Sequence, residues 1–214
     1  MDERDDTINH MHGDHLALDL AVTIRHDGHD GVADDLAQPA GLTAWVLGHA
    51  EDLRRHGFPA VPFTADEASR AAVAEVRTAL RALFARAVLP GPPSSADTGR
   101  LPDPAAALER LNAAAARVPV HYRLAWPQDG APAAGHHPAG EHPRAELLAA
   151  ALARAGIAFL AGPDRARLRA CPAPRCVRYF VQSHPRQEWC KPSCGNRARV
   201  ARHHARQRAR EALG

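Results

Sequence analysis

The sequence predicts an α+β fold: a mainly helical N-terminal domain with a small β-sheet, followed by a small metal-stapled module. Three observations carry that prediction. Apolar residues recur at helical spacing over several long stretches and alternate over two short ones. All four cysteines of the 214-residue chain fall in its last part, as C-x4-C-x13-C-x3-C at Cys171, Cys176, Cys190 and Cys194. Charge divides at the same place. Residues 171–214 hold ten Lys/Arg against two acids, whereas the other 170 residues hold 17 against 22. A basic tail on a mildly acidic body is the asymmetry expected of a nucleic-acid binder with a companion domain.

The elements follow in chain order. Leu16–Thr23 (LALDLAVT) alternates and is expected as a short strand, with Leu16, Leu18 and Leu20 on one face. Residues 25–35 read as a turn-rich loop. Leu42, Trp45, Val46, His49 and Leu53 share a helical face, and Gly57 is a stop signal. Thr64 and Glu67 have capping-box spacing before a helix to about Val88, with Val73, Val76, Leu80, Leu83 and Phe84 on one stripe. Residues 90–104 read as a surface loop, and Pro104 suits the first turn of a helix carrying Leu108 and Leu111. Val118–Trp126 alternates as a second strand, and the Gly/Pro/His-rich run to Pro143 reads as exposed. Glu146–Leu160 is an alanine-rich helix. The expected division is residues 1–165 and 166–214, with the boundary near 161–170.

A module as small as 166–214, with few large apolar residues, needs a staple. Two disulfides would serve, but the opening run MDERDDTINH has no apolar signal-peptide segment, so a reducing, cytoplasmic setting is expected. Two thiolate pairs around a short knuckle can close a tetrahedral Zn²⁺ site. Pro172, Pro174, Pro192 and Gly195 beside them favour zinc over an iron–sulfur cluster. The expected cofactor is one structural zinc ion with no open coordination position. His184 is a weaker substitute ligand. Tyr179, Phe180 and Trp189 are expected to form a mini-core with a short hairpin over the metal, rather than base-stacking contacts.

Cys194 is expected to open the last helix. Beyond it Ala198, Ala201, Ala205, Ala209 and Ala212 recur on one face, expected to pack on the hairpin. Arg199, Arg202, Arg206 and Arg210 recur on another, with His203 beside them, and residues 195–210 contain no acid. A thin side opposite an arginine ridge suits a major groove, where Arg meets guanine edges and phosphates.

The run Trp189-Cys190-Lys191-Pro192-Ser193-Cys194-Gly195-Asn196-Arg197, preceded by Cys171-x4-Cys176, resembles the CGNR zinc-finger family, named for the residues found here at 194–197. LALDLAVT, DDLAQPAGLTAWV and AGPDRARLRAC resemble that family's N-terminal ABATE region. The resemblance implies a treble-clef-like finger behind an α+β domain in a bacterial transcription regulator. Two departures stand out. Ala21-Val22-Thr23 replaces a common Ala-Asn-Thr, and the last cysteine pair is one residue closer than in many relatives. For Asn196 the resemblance leaves a bond to backbone or thiolate sulfur open; for Arg197, phosphate contact or charge balance at the cluster.

The site expectation is therefore Cys171, Cys176, Cys190 and Cys194 on zinc, with Arg197, Arg199, Arg202, His203, Arg206 and Arg210 toward nucleic acid. DNA is the expected partner. An unidentified small-molecule ligand and self-association through the N-terminal domain are further expectations, because one short finger reads few base pairs. The alternative is a zinc-stabilised RNA-binding or protein-interaction module without base-specific DNA recognition. Histidine groups (His10, His12 and His15; His26 and His29; His136, His137 and His142) raise a second metal site, with Asp14 beside His12 and His15. They lie in expected loops without carboxylates at helical spacing. No phosphate loop, dinucleotide fingerprint, GxSxG or HExxH occurs, so no enzyme is expected. No run approaches 18 uninterrupted apolar residues, so no membrane partner is expected.

Overall fold

Seven helices and three two-stranded antiparallel ribbons make up the described residues, 15–29, 31–59 and 62–211, of the computed structural model. The expected α+β class holds, but the small sheet is three separate ribbons. His10, His12 and Asp14 lie outside the described residues.

Leu16–Ala21 is a helix (α1), not the expected strand. Five of its six residues are buried and only Asp19 is partly exposed. The alternation of leucines with Ala17 and Ala21 is that of a helix covered on nearly every side, which periodicity over so short a run does not separate from a strand. The 25–35 loop contains a ribbon, β1 (Ile24–His26) with β2 (Val32–Asp34). Its turn is held by the Asp27 carboxylate, which accepts the amides of His29 at 2.8 Å and Gly31 at 3.1 Å.

The expected 42–53 helix is two helices, α2 (Pro39–Gly48) and α3 (Ala50–Arg55), with a break at His49; Gly57 then takes φ +88°. The long α4 (Glu67–Ala87) carries the expected apolar stripe. Its cap is Asp66, which accepts the Ser69 amide at 2.7 Å, rather than a Thr64–Glu67 box. Asp103 caps α5 (Pro104–Ala116), and α6 (Arg144–Ala161) completes a packed α4–α5–α6 layer. Gly156 lets that layer close, since a Cβ there would sit 3.2 Å from Leu80.

Val120–Ala125 is the expected strand (β3), and the run expected to be exposed supplies its partner, β4 (Ala133–Pro138), none of whose residues is buried. The ribbon meets the body through His136, whose Nδ1 lies 3.0 Å from the Arg55 carbonyl. Tyr122, Leu124 and Trp126 do share a side, yet that side is exposed.

After a 3-10 turn at Pro163–Arg167 the chain enters β5 (Leu168–Ala170), paired with β6 (Tyr179–Val181), and ends in α7 (Pro192–Glu211). Leu168 and Tyr179 belong to the main core with α1, α4 and α6. The metal-bearing module is thus seated on the helical body through its first ribbon.

Candidate metal centre and basic helix

The cysteine sulfurs are brought together by two local devices. The first is a tight knuckle. The Cys176 amide bonds the Ala173 carbonyl at 3.0 Å, Arg175 takes φ +62°, and the Cys171 amide bonds the Arg178 carbonyl at 3.0 Å. The second is the start of α7, which presents Cys194 in its first turn beside Cys190. All four sulfurs lie within 4.8 Å of one another, with Cys176–Cys190 at 3.7 Å and Cys190–Cys194 at 3.5 Å. A zinc tetrahedron with Zn–S near ~2.3 Å has edges of about 3.8 Å, so the four donors fit one ion. Their separation excludes disulfide bonds of ~2.05 Å, and all four are free thiols.

The surroundings suit a site carrying excess negative charge. The Cys190 amide points at Cys171 Sγ at 3.5 Å, and Arg197 Nη2 donates to Cys194 Sγ at 3.2 Å. Hydrogen bonds from Cys171, Cys176 and Cys190 draw the Cys194 thiol far below its ordinary value, with the Arg197 charge assisting. Cys171 is lowered to about 7, chiefly by Cys176 and then Cys190, whereas the same mutual hydrogen bonds, Cys171's first, push Cys176 and Cys190 up. Three of the four sulfurs' residues are buried, and Phe180 and Trp189 pack over them. Four thiolates with no open position make a structural site rather than a hydrolytic one.

The geometry gives each residue of the 194–197 run a distinct task. Gly195 is buried because the Trp189 ring lies against it; a Cβ would stand 3.1 Å from Trp189 Cε3. Asn196 accepts through Oδ1 from Arg199 Nη2 and so aims that arginine. Arg197 faces the cluster and is half-buried, whereas the other predicted nucleic-acid residues are exposed.

Arg199, Arg202, His203, Arg206 and Arg210 are all exposed. Arg202 lies 6.0 Å over the Trp189 ring, which ties the ridge's second arginine to the metal module. The alanine face behaves differently from expectation: Ala198 and Ala201 are partly covered, but Ala205 and Ala209 are exposed. From Arg202 to Glu211 every residue of the helix is exposed, a length of roughly 15 Å.

A second set of residues was not anticipated. The 90–104 segment is no mere surface loop, because Ser94 and Asp97 are buried. Arg81 on α4 donates to Asp97 Oδ1 at 2.8 Å, the Ala21 carbonyl at 2.6 Å, Ser94 Oγ at 3.2 Å and the Val177 carbonyl at 3.3 Å. The Tyr179 hydroxyl donates to Asp97 Oδ2 at 2.7 Å. Burial, then the Asp97 charge, raises that phenol above its ordinary value, so it stays a donor. Tyr179 therefore leaves the expected mini-core and joins the body, whereas Phe180 and Trp189 stay with the sulfurs. Arg81 and Arg77 sit within the apolar stripe of α4, and that position was the available signal.

Of the histidines, the described ones make no second cluster with acids. His15 lies edge-on to Phe159 and 3.5 Å from Asp164, and His136 rests on the Arg55 carbonyl.

Comparison with family models settles the kinship. Residues 14–163 match the ABATE model, whose description reads "Putative stress-induced transcription regulator". The chain belongs to the ABATE family. Residues 167–207 match the CGNR zinc-finger model. No curated protein matches the chain. In this ABATE-family protein the CGNR finger is the four-cysteine module, and it holds one structural zinc ion. Among the described residues, no helix is long and apolar enough to cross a membrane.

Proposed function

We propose that this protein is a transcription regulator that binds DNA through the CGNR finger, with α7 as the reading element. The observation that carries the reading is the exposed arginine ridge Arg199, Arg202, Arg206 and Arg210 with His203, free of acids until Glu211. Such a ridge meets phosphates without competition from its own carboxylates, and arginine's planar fork matches guanine edges. Zinc fixes the helix start, Asn196 aims Arg199, and Trp189 carries Arg202.

Arg197 is assigned to the metal centre rather than to phosphate, because its guanidinium donates to the Cys194 sulfur. A single helix of this length covers few base pairs, so selective binding calls for two copies on paired half-sites. The ABATE body is then the part that pairs the copies or receives a small-molecule signal.

The test is fluorescence anisotropy of a mixed-sequence duplex titrated with zinc-loaded protein across a salt series. Arg199→Ala together with Arg206→Ala is expected to weaken binding and flatten the salt slope by about 1.8, near 0.9 per lost phosphate contact. Equal binding by the double variant would refute the assignment of α7. Binding that is salt-steep but indifferent to duplex sequence, or equal on RNA, would favour the electrostatic alternative.

A further inference from the structure

The seam between finger and body carries an inference about the metal centre, resting on the zinc site alone and independent of the DNA reading. Three consecutive residues after the ligand Cys176 are each held from a different direction. The Val177 carbonyl accepts from Ser94 Oγ at 2.8 Å and Arg81 Nη2 at 3.3 Å, both from the helical body. The Arg178 carbonyl accepts the amide of the ligand Cys171 at 3.0 Å. Tyr179 lies edge-on to Phe84 with ring centroids 5.5 Å apart, and its hydroxyl bridges Asp97 and the Ser94 amide. Phe180, the next residue, packs on the sulfurs. The backbone that sets the separation of Cys171 and Cys176 is thus clamped by residues some 80 to 96 positions earlier in the chain.

The other side of the seam depends on the same bonds. Within 91–100 only Ser94 and Asp97 are buried, and both are held by the Arg81–Tyr179–Val177 set. An ion that binds only the folded hook stabilises everything that must be in place for the hook to form, and the coupling is reciprocal.

We infer that Arg81, Ser94, Asp97 and Tyr179 are positioning residues of the zinc site, so that zinc loading of the finger and order in residues 94–97 of the body form one linked equilibrium. The finger is not a self-sufficient bead on a linker. Loss of zinc is transmitted into the ABATE body through Tyr179 and Val177.

The experiment uses full-length protein and two readouts. In the first, zinc affinity is measured by competition with a chromophoric chelator for wild type, Tyr179→Phe, Ser94→Ala and Leu111→Val. Leu111 is buried in α5, against Gly156 and away from the seam. Tyr179→Phe keeps the ring and removes only the hydroxyl. It and Ser94→Ala are expected to weaken zinc binding about tenfold, the equivalent of one lost hydrogen bond to a charged or buried group. Leu111→Val is expected to lower overall stability and leave zinc affinity within about twofold. In the second readout, amide hydrogen exchange of unmodified protein is compared before and after chelation, and the Ser94 and Asp97 amides are expected to lose protection together with the finger. Wild-type zinc affinity in Tyr179→Phe, an equal loss in Leu111→Val, or unchanged protection at 94–97 after chelation would each overturn the inference.

Discussion

Helices α4 and α7 carry arginines at the same spacing and use them in opposite ways. Arg77 and Arg81 on α4 are buried at 5% and 3% exposure, and each meets a carboxylate from another segment. Arg77 grips Asp34 with two bonds of 2.6 Å and also reaches Thr23 Oγ1, while Arg81 grips Asp97. Arg202, Arg206 and Arg210 on α7 meet no carboxylate in the described structure, and Arg199 meets only Asn196. Residue type and period therefore do not decide an arginine's role; the supply of acids from distant segments does. A buried guanidinium with its carboxylate fixes how segments join. A solvated guanidinium without one remains available to an external anion.

The contrast can be broken hardest at the metal. Chelation, or Cys194→Ser, is expected to abolish order from Cys171 through the start of α7, since structural zinc contributes on the order of 10 kcal/mol to such modules. The far-UV circular dichroism of α7 and its anion binding should fall together. Retention of both after metal loss would mean that the ridge does not need the finger.

Next in size is removal of one buried partner. Arg81→Met leaves Asp97 charged and buried beside Tyr179, and a loss of about 3–5 kcal/mol is expected in urea unfolding. Arg206→Met, the same change on the exposed helix, is expected within about 0.5 kcal/mol of wild type. Similar losses at both sites would erase the distinction between the helices.

Gly195→Ala is a smaller test. The new methyl must displace the Trp189 ring, with an expected cost of about 1 kcal/mol and a shift in Trp189 fluorescence. An unchanged spectrum and melting curve would place the ring elsewhere.

Acid titration gives the finest discrimination. Burial opposes the Asp34 charge, but hydrogen bonding and attraction from Arg77 outweigh it, and the folded-state pKa lies below the ordinary value. The contribution of this pair is therefore present above the unfolded-state pKa of about 3.9 and lost as pH falls through the folded value. Arg77→Met should remove that part of the acid dependence of stability, whereas Arg202→Met should leave it intact.

Much of this contrast was legible in the residues, and the part that was not has a physical reason. The helical stripe of α4, the proline at the start of α5 and the alanine-rich α6 follow from local periodicity and capping, which act over a few residues. The cysteine cluster was legible because metal ligation restricts spacing, and the CGNR run was legible only through its resemblance to the family; the partner of Asn196, the Arg199 guanidinium, is neither the backbone nor the sulfur that the resemblance left open. Helix α1 departs from the expected strand because five buried positions in six leave no polar face to set a period. Ribbon β3–β4 was half seen, since β4 (AAGHHP) has neither apolar alternation nor branched residues and owes its state to its partner. The Arg81–Asp97–Tyr179 set was out of reach because its successive members are 16 and 82 residues apart, Arg81 and Asp97 taken singly read as surface, and Tyr179 reads as part of the finger's own core. The arginine-rich composition hid the one clue, which was a pair of arginines inside an apolar stripe.

The measurement that bears most directly on the reading of α7 is selection of genomic fragments by the zinc-loaded full-length protein, run beside the Arg199→Ala, Arg206→Ala variant and a chelated sample. The account predicts enrichment of one motif, arranged as paired half-sites, that disappears in both comparisons. Enrichment of the same motif by the double variant, or no motif at all from the loaded wild-type protein, would contradict it.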